Sequence, residues 1–318
     1  MTPPSYDSLS PDSARGDSSP GRDSWPVVSV VIPFFGSVAS ITPTLQALER
    51  QTYPADHYEV AVVNNGARVD LESLARSFPR TIRVSEERPG AYAARNRGIL
   101  ATRGDVLAFT DADCIPATDW LRRGVEALLD HPEADVVGGT ITVFARDPKR
   151  PNAIELHQLV HAFPQEYFVH TLRFALTANL FTYRRTFDQT GLFEAALLSG
   201  GDAEWCQRLC ARGGQIRFEP AVEVRHPARR TLHGLIRQRR RTTGGRFNRA
   251  RGVGHPPLPL TGVRSTYADP FGRLAHYRSH PLLQSPASRC RFLAVELLLY
   301  WVTKLETARL RVGGHPLR

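Results

Sequence analysis

Two aspartates that follow an apolar run are the first residues in this sequence whose spacing could do chemistry. The stretch LAFTDADCI covers residues 107–115, and only Ala112 separates Asp111 from Asp113. If residues 107–110 form a strand, side chains two positions apart share one face, so both carboxylates lie on the same side. Like charges repel unless a cation lies between them, which suggests a divalent metal site. A solvated loop with two unrelated acids is the alternative that this motif alone leaves open.

The segments around this motif alternate between strand-like and helix-like patterns. Apolar, β-branched runs that predict strands cover residues 27–35, 58–67, 81–87 and 105–113. Helical spacing of apolar residues lies between and after them, over residues 39–51, 70–78, 91–102 and 120–131. Strands joined by crossover helices indicate a doubly wound parallel sheet covered on both faces. Ligands bind beyond the carboxyl ends of the strands in such sheets, and the two aspartates belong to such an end.

The second half is less regular, and composition limits the class of protein. Residues 134–144 are typical of a strand, a helical stretch runs to about residue 162, and loop, helix and strand follow over 200–226. A chain of 318 residues with 42% hydrophobic content can bury a large core. The four cysteines form no C-x-x-C pair, which argues against a disulfide scaffold and fits a reducing compartment. Residues 1–26 carry no apolar signal core, so we expect a disordered tail and a cytoplasmic protein.

Positive charge is concentrated in one segment. The net charge is +10, residues 225–251 contain ten arginines, and residues 224–268 contain no acid. Such a run indicates a polyanionic partner, namely phosphate groups, nucleic acid or anionic lipid, with a solvated face as the alternative. Further on, residues 290–314 have too short an apolar core to span a membrane. A helix on a membrane surface, on its own domain or on a second subunit fits that stretch equally well.

Seven motifs follow one another between residues 27 and 226. They are VSVVIPFFG, VAVVNNGA, RPGAYAARNRGI, FTDADC, TANLFTYRRTFDQTGLF, GGDAEWCQRL and VEVRH. This order resembles the family 2 glycosyltransferases of the GT-A fold. The resemblance implies an α/β fold with a doubly wound, mostly parallel sheet flanked by helices and an irregular helical C-terminal extension. It implies a catalytic domain over 27–226, with a nucleotide-sugar half (27–115) and an acceptor half (116–226), followed by a basic segment and helical extension over 227–318.

The activity that the resemblance implies is inverting, metal-dependent transfer of a hexosyl unit from a nucleotide sugar to an acceptor hydroxyl. The product would belong to glycan, glycolipid or cell-envelope polysaccharide synthesis. Asp113 is then the direct ligand of Mn²⁺ or Mg²⁺, and Asp111 acts beside it on the metal, the ribose or water. His226, at the end of AVEVRH, matches a position that adds a metal or diphosphate contact. Oxygen ligands favour these two ions over zinc.

Asp202 in GGDAEW matches the acid that removes the acceptor proton in this family. The family's Glu-Asp pair is Gly-Asp here, so only the aspartate carries over, and Glu204 is the fallback base. Inversion requires such a base opposite the leaving diphosphate. An N-cap aspartate for the helix 203–212 is the structural alternative.

The donor pocket is expected from strand ends and one helix: Pro33, Phe34, Asn64, Gly90, Arg95 and Asn96. Relatives commonly carry an aspartate for the uracil imide where this chain has Asn64. An amide oxygen can accept the same proton, so a UDP-sugar is favoured, with GDP- and dTDP-sugars left open. Gly90 is expected to supply the turn that brings this segment to the ligand.

Gln238 and Arg241 have the spacing of the Q-x-x-R-W signature of processive synthases, but Thr242 replaces the tryptophan. We therefore expect a non-processive enzyme whose arginines cover the donor diphosphate or face a phosphate on the acceptor. The acceptor is expected to be a carbohydrate or lipid-linked, and a peripheral contact with the inner face of the membrane and a homodimer are left open.

Two other classes of protein fit the sequence less well. A sugar-phosphate nucleotidyltransferase would need a glycine-rich basic loop after the first strand, whereas PFFGSVAS is short and uncharged. A nucleic-acid-binding protein would interleave aromatic residues with the arginines, and Phe247 is the only aromatic residue over 225–251. We therefore expect no nucleic-acid partner.

Overall fold

The apolar runs of the first half form the parallel part of a sheet that continues through the second half. A computed structural model describes residues 25–69, 71–252 and 270–317. Over these residues the sheet has eight strands in the order β3-β2-β1-β4-β7-β6-β8-β5. The strands are β1 (Val28–Phe34), β2 (Tyr58–Asn64), β3 (Thr81–Ser85), β4 (Val106–Thr110), β5 (Ile115–Pro116), β6 (Val136–Phe144), β7 (Asn179–Tyr183) and β8 (Ile216–Pro227).

Strand direction changes in the middle of the sheet. β3, β2, β1 and β4 are parallel, β7 runs antiparallel to both β4 and β6, and β6 and β8 are again parallel. The short β5 is antiparallel to β8. The predicted α/β fold is thus confirmed, with a mixed sheet in which parallel pairs outnumber antiparallel ones. The carboxyl ends of β1 and β4 lie side by side, which places Pro33 close to Asp111.

Helices cover the sheet because its central strands are apolar on both faces. On β1, Val30 and Ile32 pack into one cluster with Trp120, and Val31 packs into the other with Trp205. The helices are α1 (Val38–Glu49), α2 (Leu71–Ser77), α3 (Ala91–Ala101), α4 (Trp120–Asp130), α5 (Ala153–His161), α6 (Gln165–Leu172), α7 (Arg184–Thr190), α8 (Gly201–Ala211), α9 (Leu232–Ala250), α10 (Pro270–Tyr277) and α11 (Pro286–Arg311).

The last helix packs on two earlier helices. α11 contacts both α9 and α5, and its buried Glu306 accepts a 2.7 Å hydrogen bond from Nε of Arg240 on α9. Over the described residues, no helix combines the length and the apolar character needed to cross a membrane. Of the predicted N-terminal tail, residues 1–24 lie outside the described residues, whereas the Trp25 ring contacts Tyr53, whose hydroxyl donates to the Pro26 carbonyl.

Candidate active site

A cleft of about 1210 Å³ opens at the carboxyl ends of β1 and β4. The β1 end supplies residues 33–37, and the β4 end supplies residues 111–113. The N-terminal ends of α3 and α8, the end of β8 and one face of α9 complete the lining. Ligands bind at this edge in doubly wound sheets, so the cleft is the candidate active site.

Asp111 is not a free carboxylate facing its neighbour. Nη2 of Arg95, a buried residue on α3, donates a hydrogen bond to Oδ1 of Asp111 at 2.6 Å. This ion pair neutralises Asp111, so the repulsion inferred from the D-x-D spacing is largely removed without a metal. Asp111 is thereby fixed at the cleft floor as an acceptor, and Asp113 keeps the free negative charge beside it.

Asp113 lies next to a histidine from the far side of the sheet. Nε2 of His226, at the end of β8, is 3.7 Å from Oδ1 of Asp113. Nδ1 of His226 is 2.9 Å from the carbonyl oxygen of Pro227, so Nδ1 carries the proton and donates it. With Nδ1 protonated, a neutral His226 presents the lone pair of Nε2 toward Asp113, which is the tautomer that metal ligation requires.

The donor atoms of this pair fit a divalent cation. One carboxylate oxygen and one neutral imidazole nitrogen suit Mn²⁺ and, less well, Mg²⁺. Sγ of Cys114 also lies within 4.8 Å of the two ligand atoms. Burial raises the pKa of the Cys114 thiol well above its usual value, so it remains protonated and is a poor ligand. The residues that could hold a metal are therefore Asp113 and His226.

Asp202 lies in the first turn of α8, on another wall of the same cleft. Its Oδ1 accepts hydrogen bonds from the backbone N–H of Ala203 at 2.9 Å and from the Tyr92 hydroxyl at 3.1 Å. Burial raises the pKa of Tyr92, so the phenol stays protonated and donates. The N-cap of α8 is Gly200, and Asp202 is therefore not the helix cap.

Each of the two positions before Asp202 requires glycine, for a different structural reason. Gly200 has φ of +81°, a left-handed conformation that side chains rarely adopt. A Cβ atom on Gly201 would lie 2.8 Å from the Tyr92 ring, so only glycine lets α8 approach this ring so closely. The sequence GGD thus brings Asp202 within hydrogen-bonding distance of Tyr92.

Arg95 connects the two acidic walls. Its guanidinium lies 5.4 Å from the centre of the Tyr92 ring while its Nη2 holds Asp111. A continuous chain of contacts therefore runs from Asp111 through Arg95 and Tyr92 to Asp202. The chain fixes the relative positions of the metal side and the Asp202 side of the cleft.

Cations line the wall formed by α9 and the residues before it. They are Arg229, Arg237, Arg241, Arg246 and Arg249. Nη1 of Arg229 is buried and has no hydrogen-bond partner among the described residues. Burial lowers the pKa of Arg229, and the nearby charge of Asp113 opposes this shift only in part. A buried donor of this kind beside the Asp113–His226 pair is suited to bind an anionic oxygen.

Ten of the residues proposed from the sequence line this cleft: Pro33, Phe34, Gly90, Arg95, Asp111, Asp113, Asp202, His226, Gln238 and Arg241. Gly90 has φ of +130° and its N–H donates to Oδ1 of Asn65. Gln238 accepts a 3.1 Å hydrogen bond from Gln158 on α5. Within the part of the chain that the structure describes, the Arg241 side chain makes one long hydrogen bond, 3.5 Å to the Leu198 carbonyl.

Asn64, Asn96 and Glu204 do not line the cleft, which corrects the expectation for each of them. The Asn64 amide closes its own turn with the N–H and the carbonyl of Ala67. The Asn96 amide bonds both backbone groups of Phe193. Glu204 points along α8 and forms a buried 2.7 Å ion pair with Arg208, so it is not available as a base.

Sequence reasoning missed several residues of the cleft, among them Asn65, Tyr92 and Arg229. Asn65 sits beside Asn64, and strand pairing rather than residue type decides which amide faces the ligand side. Asn65 donates to the carbonyls of Glu86 and Arg88. Only the position of Arg229 at the start of the arginine run could have singled it out.

Comparison with known proteins agrees with this geometry. The family described as Glycosyl transferase family 2 matches residues 29–191. Glycosyltransferase AglE of Haloferax volcanii is 35% identical over 209 residues, which cover 64% of this chain and 68% of that protein. Validoxylamine A glucosyltransferase of Streptomyces hygroscopicus subsp. jinggangensis is 32% identical over 146 residues, 44% of this chain but only 34% of that protein.

A solved structure has the same fold. The mannosyltransferase PcManGT from Pyrobaculum calidifontis, in complex with GDP-Man and Mn²⁺, matches with a TM-score of 0.61. It is 20% identical, and the match covers 92% of this chain and 89% of that one. The likeness at this identity concerns the fold alone.

Proposed function

The chain belongs to glycosyl transferase family 2, and we propose that it is an inverting, metal-dependent enzyme that transfers one hexosyl unit per encounter from a nucleotide sugar to an acceptor hydroxyl. One observation carries this proposal: the Asp113–His226 pair and the Asp202 carboxylate line the same cleft. A metal-binding pair for the leaving group and a base for the nucleophile are what such a displacement needs. We place the reaction in glycan, glycolipid or cell-envelope polysaccharide synthesis.

Asp113 and His226 are the residues that hold Mn²⁺ or Mg²⁺ in this proposal. When bound, the ion offsets the negative charge that develops on the departing diphosphate. The imidazole ligand favours Mn²⁺ over Mg²⁺. The solved relative PcManGT is in complex with Mn²⁺ and GDP-Man, which supports a metal and a nucleotide sugar in the corresponding fold.

Arg229 and Arg241 bind the diphosphate from the α9 side. The Nη1 of Arg229 is a buried donor without a partner among the described residues, and a phosphate oxygen would supply one. Arg241 also lines the cleft, and its guanidinium makes a single long hydrogen bond among the described residues, to the Leu198 carbonyl. The two guanidinium groups orient the leaving group while Asp113 remains beside it.

Asp202 removes the proton of the acceptor hydroxyl. Its Oδ1 is held by Ala203 and Tyr92, which fixes the carboxylate plane at the cleft wall. Tyr92 also donates to the carboxylate and so keeps it from turning back into the helix. The acceptor oxygen then attacks the sugar carbon from the side opposite the diphosphate, which inverts the configuration.

The nucleoside lies against Pro33 and Phe34 at the end of β1. The Asn65 amide, which replaces Asn64 at the cleft, already bonds Glu86, Arg88 and Gly90 through its own donors and acceptor. UDP was favoured because an asparagine amide could recognise uracil. Neither Asn64 nor Asn65 has an amide available for this, so UDP is no longer favoured over the other nucleotides. UDP-, GDP- and dTDP-sugars all stand as donors to be tested.

The acceptor is lipid-linked in this proposal and carries phosphate. Beside the arginines, the cleft has an apolar side formed by Phe163, Phe168, Leu172, Phe174 and Leu176. Apolar and cationic surfaces in one cleft fit a molecule with both characters better than they fit a free sugar. Thr242, in place of the tryptophan of processive synthases, is consistent with transfer of one sugar at a time.

α11 supports a peripheral contact with an anionic membrane at the cytoplasmic face. Trp301 and Leu305 are 61% and 68% exposed on this helix, beside the exposed Lys304. The two acids of α11, Glu296 and Glu306, are buried in ion pairs, so the exposed charges of the helix are cations. Exposed apolar groups flanked by cations suit an anionic lipid surface.

Sedimentation with vesicles tests the membrane contact. The chain should sediment with vesicles rich in phosphatidylglycerol and not with phosphatidylcholine alone, and Trp301→Ser with Leu305→Ser should abolish sedimentation. The alternative outcome is that the chain sediments with neither kind of vesicle, and that light scattering finds a dimer which the same substitutions dissociate. That result would assign α11 to a homodimer interface instead.

A donor screen tests the proposed reaction. The chain is incubated with UDP-, GDP- and dTDP-sugars in Mn²⁺ or in EDTA, and the nucleoside diphosphate released is measured. We expect release from one donor class in Mn²⁺ only. Release of pyrophosphate from a nucleoside triphosphate and a sugar 1-phosphate would instead identify a nucleotidyltransferase.

A further inference from the structure

A second cluster of titratable side chains lies where α5, α10 and α11 meet. His157 and His161 are one turn apart on α5, and Glu296 reaches them from α11. Nε2 of His157 is 2.8 Å from Oε1 of Glu296, and Nε2 of His161 makes a shorter contact with the same oxygen. The three ligand atoms all lie within 4.8 Å of one another. These three residues are not part of the cleft lining.

An aromatic shell encloses the cluster. The Phe292 ring stacks on both imidazoles, with centroid distances of 5.7 Å to His157 and 5.5 Å to His161. The Tyr277 ring meets His161 edge-on at 4.9 Å. Each Nε2 donates its proton to Glu296 in the metal-free cluster, so ligation of a metal through Nε2 requires that this proton leave or move to Nδ1.

Arg273 on α10 supplies the positive charge that balances Glu296. Its Nη1 lies 3.3 Å from each oxygen of the Glu296 carboxylate and 3.5 Å from Nε2 of His161. A buried carboxylate needs such a partner, because an unpaired charge in the interior is costly. A cation bound at the same three atoms would compete with this guanidinium.

We propose that His157, His161 and Glu296 bind a Zn²⁺ ion, which displaces the Arg273 guanidinium from the carboxylate. Two imidazoles at positions i and i+4 of a helix and one carboxylate are a ligand set that zinc accepts, with a fourth position for water. Two nitrogen ligands favour zinc here, whereas the Asp113 site has only one. The two sites would therefore select different metals.

The zinc would join two helices that support the cleft wall from behind. Gln158, next to His157 on α5, donates to Gln238 on α9, and Glu306 on α11 accepts from Arg240 on α9. A metal between α5 and α11 would thus hold together the two helices on which α9 rests. We assign this zinc a structural role, since it has no direct access to the cleft lining.

The test is a zinc titration by calorimetry on chelator-treated full-length protein, together with thermal unfolding. All variants are made in an Asp113→Asn background, so that the proposed metal site of the cleft contributes no zinc binding. We expect one equivalent of Zn²⁺ per chain and a rise in Tm on binding. His161→Gln should weaken binding by at least ~100-fold, since loss of even an outer-shell partner costs about 10- to 100-fold. His170→Gln, on the exposed surface of α6, is the matched control and should leave the affinity unchanged.

Arg273→Gln gives the decisive comparison and does not depend on folding of the histidine variant. Because it removes the competing cation, it should tighten zinc binding by ~10-fold, or 1.4 kcal/mol. The proposal is overturned if the Asp113→Asn protein binds no zinc, or if His161→Gln leaves the affinity unchanged. It is also overturned if Arg273→Gln lowers Tm without tightening zinc binding, because the cluster is then a metal-free ion-pair network.

Discussion

Replacing Asp202 by asparagine separates its role as a base from its role in the fold. The amide oxygen can accept the same two hydrogen bonds that Oδ1 accepts from Ala203 and Tyr92, and the side chain keeps its volume. Stability should therefore change by less than ~1 kcal/mol. The amide cannot take a proton, and loss of a general base costs about 10²- to 10⁴-fold, or ~2.7–5.4 kcal/mol in the barrier.

The assay measures sugar transfer under saturating donor alongside donor affinity by calorimetry. Asp202→Asn should retain donor affinity within about threefold while transfer falls by at least ~100-fold. Tyr92→Phe is the matched variant: it removes one hydrogen bond to the carboxylate, worth ~1.5–3 kcal/mol, but leaves the base itself, so it should slow transfer less than Asp202→Asn does. The reasoning is refuted if Asp202→Asn transfers sugar at close to the wild-type rate, or if it loses donor binding together with transfer.

Two further predictions concern stability. Gly124→Ala should lower the free energy of unfolding, measured in urea, by ~1–2 kcal/mol. A Cβ atom there would lie 2.4 Å from the fully buried Phe181 ring, and this overpacking outweighs the gain in helix propensity. An unchanged urea midpoint would contradict this prediction. In EDTA, acid should destabilise the chain as pH falls from 6.5 to about 4, by up to ~3 kcal/mol from His161 alone, because burial lowers the pKa of His161 in the folded state to about 4 and the unfolded state therefore binds the proton more readily. His161→Gln should reduce this slope, and an equal slope in both proteins would contradict the assignment.

The sequence predicts the sheet well because its strands are buried on both faces. The runs at 27–35, 58–67 and 105–113 are continuous and apolar, and each becomes a central strand whose ends differ from the prediction by a few residues. The antiparallel course of β7 was not foreseen, since residues 176–193 carry no periodicity that distinguishes the two directions. The direction of β7 depends on the end of the sheet at which the preceding helices place the start of the strand. This is a property of the tertiary structure.

Residues of the candidate site could be proposed from the sequence where the chemistry requires one residue type. Asp113 and Asp202 stand out because few other side chains bind a hard cation or accept a proton. Asn64 and Asn65 are of one type and adjacent, so only the pleat of β2 and its turn decides which amide reaches the cleft. Glu204 was misplaced because its partner Arg208 lies four residues on, a helical ion pair that satisfies it before any ligand could.

The central claim is that Asp113 carries metal-dependent binding of the donor diphosphate. Calorimetry of nucleoside diphosphate binding, with Mn²⁺ and with EDTA, tests it most directly on the wild type, on Asp113→Asn and on Asp130→Asn, whose acid is exposed at the end of α4. We predict that Mn²⁺ tightens binding by at least ~10-fold in the wild type and in Asp130→Asn, and has no effect in Asp113→Asn, whose thermal unfolding stays like that of the wild type. An equal effect of Mn²⁺ in Asp113→Asn and the wild type would contradict the claim.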